Sequence, residues 1–367
     1  MNILELNLRQ FRNYDEAAMT FEPGEVHVLY GTNAQGKTNI LEAIFFLSHL
    51  RSFRTSKTRS LIRHDAPNAV IDAKVERGGR KENLKAVLFE SKKQLFRHGN
   101  PVGTFSSFVG LVNAVLFCPD DLSLFSQSPK ARRQFMDMEL VKLSKTYTST
   151  LSHFQNALKN RNLALKEKKV DDILIDTYTH QMIEDQIVLI EQRDRFLRLL
   201  NEKVNEILPV LSAGSDQVTI RYKTCVDPEK DIKEQIEREY KHSATRDCLY
   251  RNTQVGIHKD DIEFWLNGKL LTQTASQGQR RTALLAIKLG LCFMIREKSG
   301  QYPILLLDDV FSELDQSRCK ALIQALPEQM QIFITTAEKI DPTWFSRPVR
   351  FYTVHNGKIK EGLFDVD

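Results

Sequence analysis

Eight consecutive residues, Gly31-Thr32-Asn33-Ala34-Gln35-Gly36-Lys37-Thr38, satisfy the spacing G-x-x-x-x-G-K-[ST] at every fixed position. The chemistry such a run supports is a grip on phosphate. Two glycines let the backbone curl with its N–H groups pointing inward, and a following helix N-terminus adds partial positive charge there. Lys37 would reach the β- and γ-phosphates of a nucleoside triphosphate, and the Thr38 hydroxyl would ligate Mg²⁺. Far along the chain, Ile304-Leu305-Leu306-Leu307 runs into Asp308-Asp309. Asp308 would hold Mg²⁺ through water as a second hard oxygen group, and Asp309 would orient or deprotonate an attacking water. Two buried carboxylates side by side are costly unless a cation offsets them.

These groups need a particular frame. Residues 26–30 are apolar and β-branched enough for a buried strand, and from residue 38 to 50 the side chains Ile40, Ile44 and Leu47 share one helical face. That is the strand, loop and helix the phosphate pattern requires; the competing interpretation is a chance glycine-rich turn ahead of a core helix. The run 304–307, apolar on both faces, reads as a central parallel strand, whose C-terminal end is where open α/β sheets bind ligand. A chain of 367 residues, 41% hydrophobic, exceeds one ordinary core and implies two lobes or a large insertion. The net charge of +5 permits an acidic polymeric partner without requiring one. Five scattered cysteines with no C-x-x-C pair read as reduced thiols, no apolar run reaches the ~18 residues of a membrane span, and the first residues lack signal-peptide character. The expectation is a cytoplasmic protein with no membrane association.

Other stretches carry chemistry less directly. Arg9 and Arg12, with Phe11 and Tyr14, end a first strand; they suit a solvated edge or a contact with phosphate or base equally well. Between Arg51 and Arg63 lie Arg54, Lys57 and Arg59, with small hydroxyl residues and no acid. Such a run suits a sugar-phosphate backbone, with Arg51, Arg54, Lys57 and Arg59 as candidate DNA contacts; a solvated, mobile loop is the alternative. Residues 69–117 read as short strands of an antiparallel sheet beside the parallel one. From about residue 139 the period becomes helical. Leu140, Leu143, Tyr147, Leu151, Phe154, Leu158 and Leu165 form one stripe and residues 183–207 another, with a polar break at 166–172. Two helices, each ~40 Å long at 1.5 Å per residue, would fold into a short antiparallel arm. The segment 255–269, a turn and a hairpin, would lead back to the nucleotide-binding lobe. His258 beside Asp260 and Asp261 has no second His or Cys for a metal, so a structural or DNA-facing role is expected.

Ser276-Gln277-Gly278-Gln279, ahead of an apolar helix, resembles the S-x-G-Q signature of ABC-type ATPases, and Ser312-Glu313-Leu314-Asp315 resembles their D-loop. That likeness implies that Ser276, Gly278 and Gln279 contact ATP across a dimer interface. Threonines end the strand 331–336 where transporter ATPases carry a histidine, which argues against a transporter subunit. Together with Phe11-Arg12-Asn13-Tyr14, Ser52-Phe53-Arg54-Thr55, Pro119-Asp120-Asp121-Leu122, Ser128-Pro129 and Arg132-Arg133, these motifs resemble the RecF family of SMC-like ABC-type ATPases over nearly the whole chain. The resemblance implies an α/β P-loop ATPase head with an inserted helical lobe carrying a short coiled arm. The ATPase lobe would comprise residues 1–128 and 251–367, and the helical lobe 129–250. It further implies an ATP-dependent homodimer that binds duplex and gapped DNA, hydrolyses ATP slowly with stimulation by DNA, and works with RecR and RecO to load RecA. The family's usual Gly-Pro-His-Arg turn is Gly256-Ile257-His258-Lys259 here, and a usual glutamine is Arg280; losing the bidentate fork at Lys259 bears on contacts at that turn. Rival interpretations are an ATP-gated clamp of another SMC-like family, a transporter ATPase subunit, and a phosphotransferase, which would leave the signature segment without a purpose.

Overall fold

The computed structural model describes residues 1–168, 171–212, 214 and 216–362. In chain order the strands are β1 (Asn2–Phe11), β2 (Tyr14–Thr20), β3 (Val26–Tyr30), β4 (Ala69–Arg77), β5 (Arg80–Leu88), β6 (Lys93–Arg97), β7 (Asn100–Pro101), β8 (Ala114–Phe117), β9 (Val218–Lys223), β10 (Asp261–Leu266), β11 (Lys269–Leu270), β12 (Ile304–Asp308), β13 (Ile332–Thr336), β14 (Val349–His355) and β15 (Lys358–Glu361). The helices are α1 (Lys37–His49), α2 (Phe105–Phe108), α3 (Pro129–Leu143), α4 (Lys145–Ala164), α5 (Asp172–Ser212), α6 (Ile232–Tyr250), α7 (Leu271–Thr274), α8 (Gln277–Ser299) and α9 (Gln316–Ala325). They divide into two compact units.

The first unit comprises residues Met1–Leu122, Lys203–Asp216 and Ser276–Asp367. Its central sheet has the order β15-β14-β3-β13-β12-β8, parallel throughout except for β15. Every residue of β12, β13 and β8 is buried, which is why their sequences run apolar without alternation up to the polar ends at Asp308 and Thr335-Thr336. A second, antiparallel sheet has the order β2-β1-β4-β5-β6-β7. In β4 the inward residues Ala69, Ile71, Ala73 and Val75 alternate with half-exposed ones, the signature of a sheet covered on one face. Phe11, Tyr14, Ile40, Phe46, Leu306 and Phe333 belong to one buried cluster, so α1, β12, β13 and the first hairpin share a core.

The second unit comprises Ser123–Glu202 and Gln217–Ala275. It reaches past residue 250 because β10 pairs with β9 along its whole length, from Asp261↔Lys223 to Leu266↔Val218. The predicted hairpin is present, with Asn267 and Gly268 both at positive φ in its two-residue turn, but it closes the three-stranded sheet β11-β10-β9 of this unit. The first helical stripe is not one helix either: Ser144 ends α3 and caps α4, its hydroxyl accepting from the Tyr147 N–H. Helices α4 and α5 run antiparallel, since His153 pairs with Asp185 and Arg161 with Thr179. With 41 residues, α5 is about 60 Å long at 1.5 Å per residue, longer than the ~40 Å expected, and its residues from Lys203 onward belong to the first unit. Of the polar break at 166–172, Lys169 and Val170 lie outside the described residues.

Candidate functional site

The phosphate-loop residues join β3 to α1. Gly36 caps α1 at φ +115°, and a Cβ there would lie 2.6 Å from Asn13 Nδ2 and 2.9 Å from the Tyr14 hydroxyl, so glycine is required on both conformational and steric grounds. The β1–β2 hairpin holds the loop from outside. Asn13 Nδ2 donates to the Gln35 carbonyl at 2.9 Å, the buried Tyr14 hydroxyl donates to the Gly36 carbonyl at 3.0 Å, and Asn39 Nδ2 donates to Asn13 Oδ1 at 2.8 Å. Lys37 Nζ donates to the Gly31 and Thr32 carbonyls at 2.5 and 2.8 Å. Burial lowers its pKa, opposed by the nearby Asp309 and Asp308 carboxylates.

The chain brings Thr38 and Asp308 together across 270 positions: the Thr38 hydroxyl donates to Asp308 Oδ1 at 2.8 Å. Thr335, beside Asp308 in the β12–β13 register, donates to the same oxygen at 2.6 Å. Burial raises the Asp308 pKa, while the Thr335 and Thr38 hydroxyls and the Arg54 charge hold it down. Asp309 follows at φ +52°, a left-handed conformation uncommon outside glycine, and its N–H donates to the Thr335 hydroxyl at 3.0 Å. Such local strain is held by surrounding structure. A cavity of about 480 Å³ is lined by residues 33–39 together with Arg12, Arg54, Asp309 and Thr335. Its hydroxyl and carboxylate donors are hard oxygens that suit Mg²⁺, an ion commonly held by one or two protein groups with water and phosphate completing its shell. Among the described residues no cluster of three or more His, Cys, Asp or Glu offers an all-protein metal cage.

The basic segment divides. Arg54 Nη1 donates to Asn39 Oδ1 at 2.9 Å and lines the cavity, so it faces the phosphate loop. Lys57 is exposed, Arg59 Nη1 donates back to the Ala66 carbonyl at 3.1 Å, and Arg51 is half-buried, its pKa lowered by burial. The two early arginines also part company. Arg9 pairs with Glu16 at the surface, whereas Arg12 forks onto the buried Glu42 of α1, at 2.7 Å from Nε and 2.6 Å from Nη2, and Ser52 donates to the same carboxylate.

Ser276 caps α8 in a capping box. Its hydroxyl accepts from the Gln279 N–H at 3.2 Å, and its own N–H donates to Gln279 Oε1 at 3.0 Å. Gln279 is thus engaged in holding the turn, while Ser276 is exposed and its O–H proton has no acceptor among the described residues. Neither Ser276 nor Gly278 lines the phosphate cavity of its own chain. In the second unit, His258 Nε2 lies 3.1 Å from the Thr253 carbonyl and burial pushes its pKa down to about 4. Asp260 is paired with the buried Arg193, and Asp261 is held by Nε and Nη2 of Arg132. That turn is therefore built into the packing of its unit.

Residues 2–109 match the family model described as RecF/RecN/SMC N terminal domain. The DNA replication and repair protein RecF of Halalkalibacterium halodurans is 37% identical, covering 98% of this chain and 100% of that protein. RecF of Bacillus thuringiensis strain Al Hakam is 36% identical, covering 92% of each. This chain belongs to the RecF family. Two solved structures of the recombination mediator protein RecF in the RecFOR pathway, RecF-ATP and RecF-ATPrS, superpose with TM-scores of 0.90 and 0.88 at 29% identity, each covering 98% of this chain and 97% or 98% of theirs. The Smc head domain of Pyrococcus furiosus, at 16% identity and a TM-score of 0.58 over 98% of this chain and 95% of that one, shares the fold. The transporter alternative is set aside by this membership.

For a RecF-family chain, three residues of the phosphate site carry no motif signal of that role: Asn13, Tyr14 and Thr335. The first two belong to the Phe11-Arg12-Asn13-Tyr14 run, which names the family without disclosing that it buttresses Gln35 and Gly36. Thr335 stands out in the sequence only for not being histidine, yet it is bonded to both carboxylate-bearing residues.

Proposed function

We propose that this chain is an ATP-dependent, DNA-binding recombination mediator whose working form is a nucleotide-induced homodimer. The observation that carries the proposal is the hydrogen bond to Asp308 from Thr38, which lines one cavity with Lys37 and Asp309. Lys37 and the N–H groups of residues 31–38 would bind the triphosphate, and Thr38 and Asp308 would hold Mg²⁺, which supplies positive charge at the phosphate oxygens. Asp309, whose N–H is tied to Thr335, would orient or deprotonate the attacking water. Ser276, with Gly278 and the α8 N-terminus behind it, would complete the site from the second copy; its exposure and its unused O–H support a role in trans.

The first unit acts in this proposal as the ATPase lobe and the second as the helical lobe. Arg51, Lys57 and Arg59 would contact duplex and gapped DNA, with Arg54 linking that segment to the nucleotide. Hydrolysis is slow, stimulated by DNA, and releases it. RecR and RecO as partners draw support from the RecFOR pathway of the solved relatives, and RecA as the loaded protein follows only from the family resemblance. Among the described residues no helix is long and apolar enough to cross a membrane.

Sedimentation with a non-hydrolysable ATP analogue, with and without gapped duplex DNA, tests the proposal. The expected result is a dimer with analogue, and the Ser276→Arg variant binds analogue as a monomer without pairing. A wild-type chain that stays monomeric with saturating analogue and DNA overturns the proposal, and so does normal pairing of Ser276→Arg. Lys37→Ala loses nucleotide binding itself.

A further inference from the structure

The first turns of α8 and α9 meet through one side chain. Arg318, in the first turn of α9, lays its guanidinium against Gly278: a Cβ on that glycine would lie 2.9 Å from Nη1, 3.2 Å from Nη2 and 3.4 Å from Cζ. Gly278 has an ordinary helical backbone, so its lack of a side chain serves the close approach and not an unusual φ. The arginine is held from its other side by Asp315. Asp315 Oδ2 lies 3.2 Å from Nη1, while Oδ1 caps α9 by accepting from the Arg318 N–H at 2.9 Å and from the Ser317 hydroxyl at 2.5 Å. Asp315 belongs to the segment resembling a D-loop, and Gly278 to the segment resembling the ABC signature. One guanidinium therefore latches the two turns together, from positions about 40 residues apart in the chain.

Stability does not account for this latch. The Arg318 and Asp315 side chains are 37% and 51% exposed, and pairs in that setting contribute little to holding a monomer folded. A latch between two turns that both bear on a second copy has a different use: it fixes the spacing at which they arrive. Phosphate contacts are sensitive to displacements on the order of an ångström or less.

We propose that Arg318 is a positioning residue for ATP-driven pairing. By filling the space over Gly278 it holds the turn that presents Ser276 in fixed register with the Asp315 turn, so that both reach the partner's nucleotide site together. The proposal rests on the trans-site reading of the function given above.

The test uses the full chain as wild type, Arg318→Ala, Arg318→Lys, Gly278→Ala and the Gly278→Ala/Arg318→Ala double variant, with Ser276→Arg as a non-pairing control. Analogue affinity is read at protein concentrations where the chain is monomeric, the dimer dissociation constant by sedimentation at saturating analogue, and folding by the thermal midpoint. Arg318→Ala is expected to keep monomer affinity and midpoint while weakening the dimer by roughly tenfold or more. Arg318→Lys recovers only part, because an ammonium has no flat face to lay on the glycine. Gly278→Ala, whose Cβ displaces the guanidinium, weakens pairing too, and adding Arg318→Ala to it costs less than Arg318→Ala does alone, because the latch is already open. Wild-type pairing by Arg318→Ala, or an undiminished effect of Arg318→Ala in the Gly278→Ala background, overturns the inference. A wild-type chain that does not pair with analogue refutes the underlying function instead, so the two failures are distinguishable.

Discussion

Arg12 lines the phosphate cavity, yet its guanidinium is committed to Glu42, and replacing it with methionine separates an anchoring role from a ligand role. The Glu42 side chain is 0% exposed and its carboxylate receives three donors: Arg12 Nε at 2.7 Å, Arg12 Nη2 at 2.6 Å and the Ser52 hydroxyl at 2.5 Å. Arg12→Met leaves that buried carboxylate with the hydroxyl alone. Removing one partner of a buried pair costs about 3–5 kcal/mol. The Arg12 side chain is 18% exposed, so water reaches part of the break and the lower end, about 3 kcal/mol, is expected. That is a large share of a folding free energy on the order of 5–15 kcal/mol. Urea unfolding at pH 7.5 reads the loss, and the Arg12→Met/Glu42→Gln double variant should regain about 1–3 kcal/mol of it. Because Glu42 sits on the helix that begins with Lys37 and Thr38, analogue affinity should fall in the single variant and recover with stability in the double. A stability loss under about 1 kcal/mol, with analogue binding abolished and not recovered, would refute this reasoning and make Arg12 a direct ligand.

Thr335→Val keeps shape but removes the hydroxyl bonded to Asp308 and to the Asp309 N–H; single-turnover hydrolysis should slow by about tenfold with analogue affinity nearly unchanged, whereas an unchanged rate would make the hydroxyl dispensable. Exchanging Arg51, Lys57 and Arg59 for glutamine should flatten the salt dependence of duplex binding by ~0.9 for each phosphate no longer neutralised, and an unaltered slope moves the DNA surface elsewhere. Arg54→Gln, by contrast, should first weaken analogue binding. His27 is fully buried among Phe21, Phe333 and Tyr352, and burial pushes its pKa down to about 3, aided by the Arg350 and Arg347 charges and opposed by the Glu22 backbone. The unfolded imidazole takes up a proton near pH 6.5, so this stability is full above pH 6.5 and declines as pH falls toward about 3, by up to about 1.4 kcal/mol per pH unit. Urea unfolding at pH 7.5 and 5.5 should show the decline in wild type and a shallower one in His27→Phe; equal slopes would remove His27 as the cause.

Local signals carried much of this architecture. The phosphate loop is eight contiguous residues, and a central strand buried on both faces writes itself as an apolar run, which makes residues 304–308 recognisable. Direction and distance are harder to read. A count of cations in 51–63 does not tell which way each side chain points, so composition groups Arg54 with Arg51, Lys57 and Arg59 although it bonds Asn39 and lines the cavity. The helical stripe runs through Ser144 because a cap interrupts the backbone without interrupting the apolar period. The hairpin at 261–270 is legible as a hairpin, but its partner β9 lies some forty residues earlier, and pairing at that range leaves no local mark. His258 and Asp260 look like available chemistry for the same reason: composition does not record that Thr253 and Arg193 already engage them.

What unites the contacts that the sequence hides is that each joins two motifs that are individually visible. Tyr14 joins the first hairpin to Gly36, Thr335 joins the end of β13 to Asp308 and Asp309, and Arg318 joins Asp315 to Gly278. Motif residues are constrained by the ligand they would touch, so their types and spacing are restricted and readable. A joining residue is constrained only by the gap it spans, which a hydroxyl, an amide or a guanidinium can each fill. Single-site variants of the motif residues therefore test whether the nucleotide chemistry exists, whereas variants of Tyr14, Thr335 and Arg318 test whether its parts move as one.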